Sequence, residues 1–274
     1  MARDVVVVIG VGGMGQAIAR RQGVGAHVLA ADFNEALLEA TAGELRGEGY
    51  EVTSQEVDVS SADSVAALAE RAAALGEVRA VVHTAGLSPV QAQIPAILGV
   101  DLLGVALVLE EFGKVVARGG AGLVIASMAG HSHPALPAED ARLLATVPAR
   151  ELLSLPIAAA GRFADAGHAY AFAKHANLLR VQAASKPWGA RGARVNSISP
   201  GVIATPMGQA ELDGDHGAVM RAMIDASNAG RVGTPADIAA AAEFLLGPGA
   251  GFISGTDLLV DGGVTAVIRA GQLG

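Results

Sequence analysis

A chain of 274 residues with a net charge of -8, basic residues scattered along its length and no cysteine excludes several function classes at once. Disulfide scaffolds, cysteine-ligated metals and cysteine nucleophiles are ruled out, and a reducing, cytoplasmic setting fits. The dispersed arginines speak against nucleic-acid or anionic-membrane partners. Charged residues make up 17% of the chain, below the ~25% of ordinary soluble domains, which predicts surface hidden in a homo-oligomer.

The apolar run 5–9 is too short for a signal core or a membrane span and is closed at once by glycines, so it reads as a buried strand. Further strand-like runs fall at 26–31, 52–57, 80–83, 123–126, 195–198 and 258–260. Most are separated by alanine-rich stretches long enough for a helix. Alternating strands and helical crossovers predict an α/β fold: one Rossmann-type, doubly wound parallel sheet with helices on both faces and ligands bound beyond the carboxyl ends of the strands. No repeat or low-complexity linker divides the chain, so 1–274 reads as a single domain. Pro134, Pro137, Pro148 and Pro156 punctuate residues 131–168, which reads as an insertion of short helices. Residues 206–228 read as a substrate lid, with a surface helix pair as the competing reading. Thr234-Pro235-Ala236-Asp237 marks a helix start.

The glycine loop Gly10-Val11-Gly12-Gly13-Met14-Gly15 follows the first strand and precedes a helix at 16–22. Such a loop lets the backbone approach a pyrophosphate seated on the helix N-terminus, although glycine loops also serve simply as turns. Asp32 ends the second strand 22 residues after Gly10, near the spacing of the carboxylate that binds the adenosine ribose. With Phe33 it joins the cofactor set. Its charge opposes a 2′-phosphate and so favours NAD over NADP; the plainer reading is a strand-end or capping aspartate. Arg20 and Arg21 are expected to face solvent. Asp58 and Val59, at the end of the third strand, and Ala85 and Gly86, after the fourth, extend the groove.

Tyr170 and Lys174 stand one helical turn apart on a shared face, in a chain with only two tyrosines. A phenol ionises near pH 10, and lowering that by about three units takes ~4 kcal/mol of anion stabilisation, which Lys174 and an oxidised nicotinamide supply. Ser127, closing the fifth strand, is placed to hold a carbonyl or alcohol oxygen beside Tyr170; otherwise it is a turn residue.

These residues resemble the short-chain dehydrogenase/reductases over nearly the full chain. Tyr170 and Lys174 match the family's YxxxK pair, Ser127 in Ile125-Ala126-Ser127-Met128-Ala129-Gly130 its catalytic serine, and Ala85-Gly86 the end of its NNAG segment. Asn196-Ser197-Ile198-Ser199-Pro200-Gly201, with Thr205 following, resembles the segment that holds the nicotinamide carboxamide, through the backbone at Ile203. Gly255 and Asp261-Gly262-Gly263 match the terminal strand. The resemblance implies a seven-stranded sheet, a homodimer or homotetramer, and NAD(H)-linked interconversion of a secondary alcohol and a ketone. It also implies Tyr170 as general acid/base, Ser127 positioning the substrate oxygen, and Lys174 binding ribose and lowering the phenol's pKa. Two other readings stay open: an idle NAD-binding sensor or scaffold, and an NADP-preferring reductase.

Four departures stand out. The loop is one residue shorter than the family's TGxxxGxG and carries Ile9 where threonine is usual. His83 and Thr84 replace the two asparagines. Asp101, in Gly99-Val100-Asp101-Leu102-Leu103, stands where the family often has an asparagine supporting a water-mediated proton relay, and an aspartate can still accept hydrogen bonds. The interval from Ser127 to Tyr170 is long, as in members that reduce bulky carbonyls, so Leu136, Leu143, Leu144, Leu152, Leu153, Leu155 and Phe163 wall an apolar substrate pocket or else merely pack the insertion. His131, His133 and His168 are read as solvated, not as metal ligands.

Overall fold

Seven short runs, the central ones rich in valine, isoleucine and alanine and the edge run β3 largely polar, pair into one sheet. In this computed structural model, which describes residues 3–90, 92–215 and 217–272, the chain begins β1 (Asp4–Ile9), α1 (Gly13–Gln22), β2 (His27–Asp32), α2 (Glu35–Gly47), β3 (Glu51–Glu56), α3 (Ala62–Leu75), β4 (Glu77–His83) and α4 (Ile94–Ile97). A π-helical segment, Leu98–Gly104, leads into α5 (Val105–Val115) and β5 (Val116–Ile125). Then follow α6 (Met128–Ser132), α7 (Ala138–Thr146), 3-10 turns at Ala149–Ser154, Pro156–Ala158 and Ala160–Arg162, α8 (Ala166–Ala190) and β6 (Arg194–Pro200). The chain closes with α9 (Pro206–Asp213), α10 (Gly217–Ala226), α11 (Pro235–Leu246), a 3-10 turn at Pro248–Ala250, β7 (Asp257–Val260) and α12 (Val264–Arg269). Residues 1, 2, 91, 273 and 274 of the expected domain, and residue 216 of the expected lid, lie outside the described residues.

All pairings are parallel, in the order β3-β2-β1-β4-β5-β6-β7. Growth of the sheet reverses between β1 and β4, and such a reversal opens a crevice at the carboxyl ends. β1 shows why its sequence is a continuous apolar run. Val5, Val7 and Ile9 enter a cluster with Leu68, Leu102, Phe112 and Ala173, while Val6 and Val8 enter another with Ile18, Ile238 and Leu245. A strand covered on both faces has no position for a polar side chain. Full burial of one such side chain stabilises by roughly 1.5–3 kcal/mol.

Most strand ends shift from the sequence reading by one to three residues, β4 starting at Glu77 where 80 was expected, and two differences have a clear local cause. Helix α1 starts at Gly13, because the loop glycines themselves take the first helical turn. β5 starts at Val116, where 123 was expected; its first half passes through Gly119, at φ +82°, and pairs with β4 across a register shift between Val78 and Ala80.

The expected insertion, 131–168, folds as short helices laid on α8 up to 165, and its last three residues form the start of α8 itself. Leu144 and Leu152 are fully buried in the main cluster and Phe163 nearly so. Glu110 of α5 ties the tract down by accepting from Ala149 N at 2.8 Å. The expected apolar pocket wall is therefore largely core: Leu144 and Leu152 have no free face, Leu136, Leu143 and Leu155 are half-buried, and Leu153 faces solvent. Truncating Leu152 to alanine would cost ~2–5 kcal/mol as a cavity in that core.

Candidate functional site

The glycine loop is built by close approach. Gly10 has φ +92°, and a Cβ there would collide with Ala85 N; a Cβ on Gly15 would collide with Gly10 O. Gly12, by contrast, faces open space. It caps α1 without any side-chain hydrogen bond, and the first turn holds no acidic residue. The first amides of α1 therefore present an uncompensated positive end, and the residues Gly12, Gly13 and Met14 fit a pyrophosphate. Support comes from the end of β4: Thr84 Oγ1 donates to Gly10 O at 2.6 Å, while Thr84 N and Ala85 N donate to Ile9 O at 2.7 and 3.0 Å. Thr84 thus braces the loop in a position where the family carries asparagine.

Asp32 ends β2 as expected, and the strand-end role is filled as well. Its Oδ2 accepts from Val11 N at 2.8 Å and its Oδ1 from Asn34 N at 2.9 Å. Each carboxylate oxygen keeps a further lone pair for a ligand hydroxyl. Phe33 beside it is exposed. Arg20 and Arg21 turn away from this site, pairing with Glu48 at 2.7 Å and Glu243 at 2.5 Å. Asp58 and Val59 lie just beyond β3; Asp58 Oδ1 accepts from Ser60 N at 2.9 Å, and Val59 is buried.

Helix α8, capped by Asp165 accepting from His168 N at 2.8 Å, carries Tyr170 and Lys174 toward the same edge. Lys174 Nζ lies 5.4 Å from the Tyr170 ring centroid and 2.9 Å from Asp101 Oδ1. It also donates to Ile125 O at 3.4 Å. Asp101 is wholly buried, Lys174 nearly so, and Asp101 Oδ2 accepts from Leu87 N at 3.1 Å. Gly86 makes room for this pair: a Cβ there would lie 2.7 Å from Asp101 Oδ1. Ser127 stands two residues past β5, as the N-cap of α6, with Oγ accepting from Ala129 N at 3.1 Å. That bond occupies a lone pair and leaves the hydroxyl proton for another acceptor.

The electrostatics follow from burial. The Tyr170 phenol is pushed above its ordinary range chiefly by burial; Lys174 and a hydrogen bond with Ser127 pull it down, while Asp101 and Glu211 push it up. Burial alone would lower the Lys174 ammonium, but Asp101 and Tyr170 hold it above its usual value. Burial raises the Asp101 carboxyl, opposed by Lys174 and the Leu87 amide. His83 is pushed down to about 3 by burial and by the charge of Lys174, so it stays neutral near pH 7. On α9, Glu211 is pushed up by burial, with a hydrogen bond to Ser88 opposing.

Beyond β6, Gly201 sits where a Cβ would lie 2.8 Å from Asp261 Cα. Ile203 bridges to Gly233, and Thr205 Oγ1 caps α9 by accepting from Gly208 N at 3.1 Å. A Cβ on Gly13 would reach Thr205 Cγ2 at 3.1 Å, so Pro200, Gly201, Ile203 and Thr205 continue the groove from the glycine loop. The segment expected as a lid or a surface helix pair, 206–228, folds as the two helices α9 and α10. The histidines differ from expectation, because His131 and His133 are half-buried. His131 Nε2 meets Asp257 Oδ2 at 2.7 Å, while His133 stacks on His175 at 5.1 Å and edges Phe172 at 5.7 Å. His133 thus fastens the inserted tract to α8, and His131 ties its start to β7. Sequence reasoning missed Val11 as the partner of Asp32, and it missed Glu211, bonded to Ser88, as a charge acting on Tyr170. No local pattern marks a residue that enters the site from a helix packed across it.

Among the described residues no helix is long and apolar enough to cross a membrane. A family model described as enoyl-(acyl carrier protein) reductase matches residues 10–265. The short-chain dehydrogenase/reductase bsc3 of Alternaria brassicicola is 42% identical over 269 residues, spanning 98% of each chain. D-threitol dehydrogenase of Mycolicibacterium smegmatis is 32% identical, covering 92% of this chain and 89% of that protein. Among solved structures, a short-chain type dehydrogenase/reductase from Mycobacterium ulcerans aligns with TM-score 0.76 at 24% identity, over 96% of this chain and 90% of that one, a likeness of fold alone. A family match from Gly10 to Thr265 and a full-length relative at 42% identity establish that the chain belongs to the short-chain dehydrogenase/reductases and is an oxidoreductase with a Rossmann-type nucleotide-binding fold.

Proposed function

We propose that the protein interconverts a secondary alcohol and a ketone with NAD(H). Tyr170 is the general acid/base, Ser127 positions the substrate oxygen, and Lys174 binds the nicotinamide ribose while favouring the ionised phenol. The carrying observation is the convergence of Tyr170, Lys174 and Ser127 at the carboxyl edge that also presents the glycine loop. When bound, the nicotinamide supplies or accepts the hydride exchanged with the substrate carbon. Tyr170 Oη gives its proton to a carbonyl oxygen in reduction and takes one from the alcohol in oxidation. Ser127 can donate to that oxygen because its acceptor lone pair already serves Ala129 N.

The cofactor would be held by Gly10, Gly12, Gly13, Met14 and Gly15 at the phosphates, and by Asp32 and Phe33 at the adenosine. Asp58, Val59, Ala85 and Gly86 would line the groove between, and Pro200, Gly201, Ile203 and Thr205 would take the carboxamide end. The Asp32 carboxylate opposes a 2′-phosphate, which supports NAD over NADP. The names of two relatives, D-threitol dehydrogenase and the 30% identical 3beta-hydroxysteroid dehydrogenase 2 of Eggerthella lenta, support a secondary-alcohol substrate within a range from small polyols to bulky, apolar molecules. Helices α9 and α10 serve as its lid, within one domain that carries the 131–168 insertion and assembles as a homodimer or homotetramer.

Fluorescence titration with NADH and NADPH, followed by turnover on a panel of secondary alcohols and ketones, tests the reading. Tyr170→Phe is expected to lower kcat/KM by about 10²–10⁴ with NADH binding retained. Undiminished turnover in that variant removes Tyr170 from the mechanism. Tight NADH binding by a protein that turns over no panel member would favour a binding-only role.

A further inference from the structure

We propose that His175 is a positioning residue for Ser127: its ring clamps α6, the short helix that Ser127 caps, onto the turn of α8 that carries Lys174. This role rests on the reading of Ser127 as the group that positions the substrate oxygen. Helix α6 has five residues, and a helix shorter than about 12 residues is marginal on its own. Its neighbours must therefore aim it. Gly130 makes the closest contact: a Cβ there would lie 2.7 Å from the carbonyl carbon of Lys174 and 2.9 Å from His175 N, so the two helix backbones touch.

The need for a clamp is visible in the sequence. A helical carbonyl is served by the N–H four residues on, and four residues after Gly130 stands Pro134, which has no N–H. His175 Nδ1 takes that place, donating to Gly130 O at 3.0 Å. A carbonyl partner requires the proton on that nitrogen. His133 stacks on the ring with centroids 5.1 Å apart and limits its rotation. His131 Nε2 meets Asp257 Oδ2 at 2.7 Å and ties the same helix to β7. Within the turn, Ala129 N donates to Ser127 Oγ at 3.1 Å and Gly130 N to Ser127 O at 3.0 Å. Ser127 is thus joined to Gly130, and Gly130 to the helix that bears Tyr170 and Lys174. One imidazole sets the separation of the serine from the other two groups.

His175→Phe keeps a ring against His133 and removes the donor, whereas in His175→Asn the side-chain amide stands where Nδ1 stands and keeps it. Amide hydrogen exchange in the cofactor-free protein reads the clamp without turnover. Phenylalanine is expected to speed exchange at Ala129 and Gly130 by about 3- to 10-fold, with the glycine loop unchanged, and asparagine to restore it. Displacing a reacting group by about 1 Å costs up to about 10²-fold, so His175→Phe should also lower kcat about 10- to 100-fold with NADH binding retained. In a protein already carrying Ser127→Ala the same substitution should add little, because the residue it acts through is gone. Unchanged exchange at Ala129 and Gly130 in folded His175→Phe overturns the proposal. So does an unchanged kcat, or an equal loss of kcat in the two backgrounds, the mark of a merely structural role. Should phenylalanine fail to fold, His175→Gln, whose amide stands where Nε2 stands, is read the same way. A protein that turns over no panel member, or an unchanged kcat in Ser127→Ala, removes the reading of Ser127 instead, and the exchange still decides whether His175 holds the turn.

Discussion

Replacing Asp32 by alanine removes an acceptor from the glycine loop and a charge from the adenosine end of the groove in one step. Val11 is 1% exposed, so loss of its partner leaves a buried N–H unpaired, at a cost of ~1–3 kcal/mol. The Asn34 amide sits at an exposed turn and can turn to water. Unfolding entropy of about 2.1 cal/mol/K per residue gives about 0.6 kcal/mol/K for a chain of this length, so Tm should fall by about 2–5 °C. A hydrogen bond to a charged group contributes about 1.5–3 kcal/mol, and its loss should weaken NADH binding roughly 10- to 100-fold. NADPH should lose less or gain, since the charge opposing its 2′-phosphate has gone, and the NADH-to-NADPH preference should drop more than tenfold. Thermal melts and parallel fluorescence titrations measure both effects on one sample. A Tm loss of the expected size with an unchanged cofactor preference would refute the ribose assignment and leave Asp32 as a loop brace alone.

Gly10→Ala introduces a side chain at φ +92° against Ala85 N. Left-handed strain of about 1–2 kcal/mol and overpacking of about 1–3 kcal/mol should lower Tm by roughly 3–8 °C and abolish NADH binding; an unaltered melt would show that the approach is looser. His83 tests the pH dependence. Its folded pKa, pushed down to about 3 from 6.5 by burial and then by Lys174, means that the folded state prefers the neutral ring. The associated stability is complete above pH 6.5 and is lost as pH falls through the window from 6.5 to 3. By pH 5 the loss is about 2 kcal/mol, and His27 and His133, also depressed chiefly by burial, act in the same direction. His83→Asn should flatten the fall in Tm between pH 7 and pH 5 by about 3 °C, and an unchanged slope would show that His83 is not the titrating group.

Much of the fold was legible because its signals are local. A strand covered on both faces must be apolar throughout, so β1 announces itself. The start of α11 is written in four residues, with Thr234 Oγ1 accepting from Asp237 N at 3.3 Å and Asp237 Oδ2 accepting from Thr234 N at 2.7 Å. The start of β5 was not legible, since pairing near Gly119 depends on how β4 lies beside it. Nor does a leucine's sequence context say whether it faces a cavity or the core, which is why Leu144 and Leu152 were open to both readings. Within the site, the glycine loop, Asp32 and the Tyr170–Lys174 spacing each fit inside one element or one turn. Glu211 reaches Tyr170 only because α9 folds back over the groove, and nothing within α9 records that.

Asp101 stands between these cases: its position was noticeable, but its partner was not. An α-helix continued without interruption from α4 into α5 would aim residue 101 elsewhere. The wider π turn re-aims the side chains that follow it, and π segments gather at functional sites for this reason. Here the segment buries Asp101 and seats Gly104 so closely on Val59 that a Cβ would lie 2.9 Å from Val59 Cγ2. A carboxylate wholly removed from water persists only when paired, and so does an ammonium. Deleting either partner leaves the other charge uncompensated, at about 3–5 kcal/mol. Alanine at 101 would therefore confuse folding with chemistry. Asparagine keeps an oxygen for Lys174 and for Leu87 N while removing the charge, so that substitution separates the contacts of the pair from their charge compensation.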